Sequence, residues 1–423
     1  MRNKKRDILM YITGAVLLVV LVLSLRDTAR EMMFDSKKVS SISEIEVPAV
    51  PDVKTERAYG VVSAAEWSSY YKDIYASWEA NSGNTGHGGK RISYVEADPD
   101  IKTLYAGYGF AYDYTEAIGH TYTLEDIAET TRPHKLANCL TCKTPDFTAM
   151  VNAMGKEAYS LSFDEVYSKM GESVSCYTCH GNTPGTMVLT HDYMVESIGD
   201  EVAAGALDSA SASCAQCHIE YYFDPQTSAT TAPYENLEQI SPSAILEYYN
   251  KQDFADFTNT VSGVRVIKAQ HPEFETYYGE GSVHKGTYNC ADCHMGVAYN
   301  KKGDPYANHY LSSPLDNQEL ISSTCSQCHS DLAAMVNSIQ KEVTEKESKV
   351  SAVLVELHEK IAASEGKISA EILDQVRSLT REAQFYWDFV YVENSEGAHN
   401  SQLSLECLNK AENMANDALE LLQ

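Results

Sequence analysis

The chain has 423 residues, with 33 Lys and Arg against 60 Asp and Glu, and a formal net charge of −27. So acidic a chain argues against nucleic acid as a partner, since the phosphate backbone is held by clustered cations. It also means that any anionic substrate needs a local cationic pocket.

Taken in chain order, Arg2, Lys4, Lys5 and Arg6 precede an uncharged run from Ile8 to Leu25 that is long enough to span a bilayer. No small-residue cleavage site follows cleanly. Residues 1–30 are therefore expected to form an uncleaved signal anchor, with the remainder on the extracytoplasmic side. Residues 31–58, with Pro48 and Pro51, read as a linker.

Residues 59–330 are rich in Tyr, Gly and Asn and contain ten of the eleven cysteines, arranged as five Cys-x-x-Cys pairs. Four pairs end in His: Cys176, Cys179 and His180; Cys214, Cys217 and His218; Cys290, Cys293 and His294; Cys325, Cys328 and His329. A single Cys-x-x-Cys can be a zinc knuckle or a redox disulfide. Four copies each followed by His are the signature of covalent c-type haem attachment, with two thioethers and a proximal imidazole. The first pair, Cys139 and Cys142, ends instead in Lys143. An amine ligates iron only when neutral, and it lacks the imidazole π system, so Lys143 marks one iron off from the other four. If no protein ligand covers the opposite face, that iron is a reaction centre fed by four wires.

From residue 331 the texture changes. Leu332, Val336, Ile339, Val343, Val350, Val353 and Leu357 follow a helical apolar spacing broken at Lys346, and Gly366 stops the helix. A second helix carries Ile372, Val376, Leu379, Ala383, Tyr386 and Val390, and Asn394 to Gly397 close it. A third, from about Ser401, carries Cys407, Ala411, Met414, Ala418 and Leu421, which makes Cys407 a buried helical thiol. Residues 331–423 are expected to pack on the 59–330 unit, to form a dimer interface, or both. The fold class is therefore mostly α with little β, with five haems forming much of the core. Thirteen histidines, less four proximal ligands, leave nine for distal positions. Spacing alone does not assign them.

With CxxCK first and four CxxCH after it, the chain resembles the pentahaem, ammonia-forming cytochrome c nitrite reductase family over about Tyr59 to Gln402. Lys143 begins KTPD where the family has a KSPD-like sequence, CAQCH is followed by EYYF, Lys268 to Glu273 reads KAQHPE, and His309 precedes SSPL. The resemblance implies Arg132, Tyr221 and His271 as catalytic residues beside the Lys143 haem. Arg132 and His271 would hold nitrite, and His271 would be the proton donor. It implies distal ligands His309, His120, His399 and His284 for the second to fifth haems. It also implies calcium bound by the Glu220 carboxylate, the Tyr221 and Lys268 carbonyls and the Gln270 side chain. A membrane-bound multihaem quinol dehydrogenase as electron donor and a homodimer follow from the same likeness. His87, His134, His191 and His358 are left as structural or surface residues. Two other readings remain open from the residues: a multihaem reductase for hydroxylamine, sulfite or tetrathionate, and a membrane-tethered electron carrier.

Overall fold

The computed structural model describes residues 41–83, 91–133 and 136–423, together with scattered positions before residue 41. The anchor expected over residues 1–30 lies largely outside the described residues, as do His87 and His134. Among the described residues no helix is long and apolar enough to cross a membrane.

The expected mostly helical architecture is borne out. Among the described residues, strands are confined to three short antiparallel pairs, Tyr222–Phe223 with Thr230–Thr231, Phe257–Thr258 with Arg265–Val266, and Val297–Tyr299 with Pro305–Ala307. The elements that carry the motifs are brief. Helix α1, Pro145–Met154, starts directly after Lys143: Thr144 caps it through Asp146 N, Pro145 presets its first turn, and Gly155 ends it at φ 81°. Motif cysteines lie on α2, Cys176–His180, at the end of α3, Ser209–Ala215, and on α4, Cys290–His294.

Three long helices stand out among the described residues: α5, Leu332–Ser364, α6, Ala370–Tyr391, and α7, Ser401–Leu421. Each has a side-chain cap: Asp331 Oδ1 accepts from Ala334 N, Ser369 Oγ from Ile372 N, and Asn400 Oδ1 from Leu403 N. Lys346, the break in the apolar spacing of α5, forms an ion pair with Glu412 on α7. The buried stripe of α5 is Val343, Val350, Leu354, Leu357 and Ile361, with Val353 half-buried against the same core. On α6 the expected single seam is corrected at both ends. Ile372 is 37% exposed, while every residue from Ala383 to Val390 is buried. That half of α6 is enclosed on all sides, and a one-sided pattern cannot describe such a helix. Cys407 is buried on α7, and burial pushes its thiol up to about 12, as expected for an inert core thiol.

Buried polar contacts join these helices to the motif-bearing segment. Gln384 Nε2 donates to Leu104 O at 2.9 Å, and Asp388 accepts from Tyr105 Oη and, at 2.7 Å, from Ala269 N. Leaving such groups unpaired costs about 1–3 kcal/mol each. His358, fully buried, has Nδ1 2.6 Å from Ser262 Oγ and Nε2 2.8 Å from Gln384 Oε1. Burial pushes this imidazole from 6.5 down to about 4, so the folded state prefers the neutral ring. The resulting stabilisation is complete above pH 6.5 and is lost as pH falls towards 4, up to about 3 kcal/mol. The melting-temperature gap between wild type and His358→Gln is therefore expected to shrink as pH drops through that window. A gap that does not change with pH contradicts it.

Candidate active site and haem-binding array

The five motifs form a connected path. The Cys142 and Cys217 thiols interact, as do those of Cys214 and Cys290, and Cys325 acts electrostatically on Cys293. The first motif therefore adjoins the third, the third adjoins the fourth, and the fourth adjoins the fifth. Cys179 of the second motif acts on both Cys214 and Cys217. None of this order is visible in the sequence, where the first motif precedes the second.

Each proximal histidine faces a partner from a remote part of the chain. The ring centroids of His180 and His309 are 6.3 Å apart, those of His218 and His120 6.2 Å, those of His294 and His399 5.9 Å, and those of His329 and His284 6.0 Å. Two imidazole nitrogens each about 2.0 Å from one transition-metal ion place their ring centroids roughly 6 Å apart. The four pairs fit axial ligation of four irons, and the thiol pairs, half-buried except for the exposed Cys328, are suited to covalent attachment.

Several Nδ1 atoms have acceptors that leave Nε2 for metal: His180 with Thr186 O at 3.0 Å, His294 with Ser312 O at 3.0 Å, His309 with Ala307 O at 2.9 Å and His399 with Glu393 Oε1 at 2.7 Å. Sequence reasoning missed Glu393, since a second-sphere acceptor has no motif. Neither leftover histidine among the described residues lies in such a pair. His191 is buried against Thr141 O, Thr148 and Gln216, and His358 is tied as described above.

Lys143 stands at the end of a 3-10 turn over Ala137–Leu140, with its N–H donating to Leu140 O at 3.0 Å and its carbonyl accepting from Thr123 Oγ1 at 2.7 Å. His271, Tyr221 and Arg132 converge on this motif. His271 lies within electrostatic range of Lys143. Burial pushes the Tyr221 phenol well up, and the nearby Cys142 and Cys139 add to the shift. Arg132 and Lys143 both act on Cys139. The guanidinium of Arg132 lies 4.1 Å from the centroid of the Phe110 ring, and its Nε donates to Thr130 Oγ1 at 3.0 Å. His271 Nδ1 is 3.9 Å from Glu273 Oε1, while Glu273 Oε2 is 3.7 Å from His218 Nδ1. Glu273 belongs to KAQHPE, yet its position between two imidazoles required the folded chain.

Of the four residues proposed from sequence for a cation, Glu220, Lys268 and Gln270 come together. Glu220 is fully buried, and burial raises its carboxyl well above the usual range. It accepts from Gln270 N at 2.6 Å and from Tyr249 Oη at 2.8 Å. Gln270 Nε2 donates to Lys268 O at 2.8 Å. The Lys268 ammonium itself is buried 3.5 Å from Asp388 Oδ1 and is compensated there.

Thiol pairs, facing imidazoles and this helical scaffold define a c-type cytochrome with several covalently attached haems, an oxidoreductase. More particularly, the chain belongs to the cytochrome c552 family, whose model matches residues 63–423. Its structure is similar to that of NrfA, the catalytic subunit of cytochrome c nitrite reductase from Desulfovibrio desulfuricans, a protein described as having two calcium sites. The two share 26% identity with a TM-score of 0.76, and the match covers 87% of each chain. The outer cell wall cytochrome OcwA is a weaker match, at 19% identity and a TM-score of 0.38 over 74% of this chain and 49% of that one, and is too distant to inform the site. The likeness to the cytochrome c nitrite reductases read from the motifs is thus borne out.

Proposed function

We propose that the protein is an ammonia-forming nitrite reductase, taking nitrite through six electrons to ammonium at a haem ligated by Lys143 and fed by four haems with two axial histidines each. The observation that carries this reading is the grouping of Arg132, Tyr221 and His271 around the CxxCK motif, beside four imidazole pairs at 5.9–6.3 Å. Cys139, Cys142 and Lys143 would hold a haem, which would supply redox chemistry at its iron.

The side chains supply charge and protons. Arg132 offers planar cationic donors to an oxyanion within a strongly acidic protein. His271 is the proton donor, because imidazole is the side chain that ordinarily titrates near neutral and the departing oxygens leave as water. Desolvation lowers the His271 imidazole from 6.5 to about 4; Glu273, near its Nδ1, opposes that shift and leaves Nε2 for substrate. Tyr221 remains a phenol because burial disfavours its ionised form, and so it acts as a hydrogen-bond donor. Glu273 lies on the Nδ1 side of His218, so Nε2 is the atom that would ligate an iron, and His120 faces the same ring.

Calcium is the cation for Glu220, the carbonyls of Tyr221 and Lys268, and Gln270. All are oxygen donors suited to a hard ion, and a divalent charge offsets the buried carboxylate. Turning the terminal amide of Gln270 about its last torsion presents its oxygen in place of the nitrogen that now bonds Lys268 O. Electrons come from a membrane-bound multihaem quinol dehydrogenase. The enzyme acts on the extracytoplasmic side, held by its N-terminal helix, and pairs through its C-terminal helices into a homodimer.

The reading is tested by mixing dithionite-reduced protein with nitrite and measuring haem reoxidation together with ammonium. One ammonium is expected for every six electrons that the haems of the reduced chains give up. Reoxidation without ammonium, or none at all, overturns the reading.

A further inference from the structure

The guanidinium of Arg132 is held by a hydrogen-bonded relay that starts at a carboxylate on another loop. Asp113 Oδ2 accepts from Thr130 Oγ1 at 2.8 Å, from Thr131 Oγ1 at 3.0 Å and from Thr131 N. An ionised carboxylate only accepts, so the single hydroxyl proton of Thr130 points at Asp113. The lone pairs of that hydroxyl then face Arg132, whose Nε donates to it at 3.0 Å and whose backbone N–H donates at 3.3 Å. The hydroxyl has no capacity left, and its orientation is fixed from both ends.

The same loop builds the rest of the seat. Phe110 lies under the guanidinium at 4.1 Å, and a Cβ at Gly109 would meet Arg132 Cγ at 3.1 Å, so the missing side chain there admits the arginine stem. Partial burial raises the Asp113 carboxyl, but bonds from Thr131 and Thr130 outweigh it and leave the pKa lowered, in keeping with an ionised acceptor.

We propose that Asp113 and Thr130 are positioning residues that preorganise Arg132 for an oxyanion substrate, with Gly109 and Phe110 completing its seat. The proposal rests on the reading of Arg132 as the anion-binding residue. An unrestrained arginine loses rotamer freedom when it closes on a ligand, and a prebuilt seat removes that cost from binding. The effect therefore belongs in substrate affinity more than in turnover.

The test uses the full-length holoenzyme and nitrite, with haem content measured for every variant. Thr130→Val is expected to raise both the nitrite dissociation constant, read from the haem spectrum, and KM about tenfold, the order of one hydrogen bond to a charged group. Its kcat is expected to stay near wild type, Thr130→Ser to restore affinity, and Asp113→Asn, which keeps a neutral acceptor, to fall between. Added to Arg132→Ala, Thr130→Val is expected to cause no further loss, since the relay acts only through the arginine. Wild-type affinity in Thr130→Val, or losses that multiply in the double variant, overturn the proposal. Wild-type nitrite affinity in Arg132→Ala instead overturns the parent reading of Arg132.

Discussion

His271→Asn is expected to form ammonium about a hundred- to ten-thousand-fold more slowly than wild type, the range spanned by general acid catalysis, while keeping five haems per chain. Asparagine retains a donor of similar size but cannot deliver a proton, so the substitution separates binding from proton supply. The surroundings of His271 make its loss specific. Glu273 sits between it and His218, is itself buried, and also accepts from Asn394 Nδ2. The carboxylate therefore stays anchored when the ring is changed. Steady-state ammonium formation with an artificial reductant, alongside haem quantification, reads the result. A rate within a factor of about three of wild type would falsify the role of His271 as proton donor.

Lys143→His converts CLTCK into a fifth Cys-x-x-Cys-His motif, so covalent attachment is expected to persist. Ammonium formation is nonetheless expected to fall at least about tenfold, because under the proposed function Lys143 is the ligand that sets the electronic character of the reactive iron. The backbone argues that only the ligand changes. The Lys143 N–H and carbonyl are held by Leu140 O and Thr123 Oγ1, bonds that any side chain leaves in place, and capped helix α1 begins immediately afterwards. Electronic spectroscopy should register an altered ligand field in one haem of five. A variant with that altered spectrum and wild-type turnover would separate the lysine from the chemistry.

Local features were the legible ones. A haem motif occupies five contiguous residues, and helix caps act within one turn, so both can be read along the chain. The apolar spacing in residues 332–421 likewise announced three long helices, because a helix that buries one face repeats its apolar positions at a fixed interval. The pattern lost detail where that premise failed, as in the wholly enclosed half of α6 and at exposed Ile372. Distal histidines such as His309 and His399 could be named only through family likeness, since nothing in their immediate neighbours ties them to a particular iron.

By itself the sequence determined the chemistry available: covalent haem attachment at five points, one lysine among four proximal histidines, and an acidic chain that must concentrate positive charge locally. Only the tertiary structure decided which motifs adjoin, which imidazoles face each other, and how Asp113, Thr130 and Phe110 seat Arg132. The physical reason is range. Covalent attachment and capping involve neighbouring residues, whereas axial pairing and charge placement depend on distances between segments that meet only when the chain is folded.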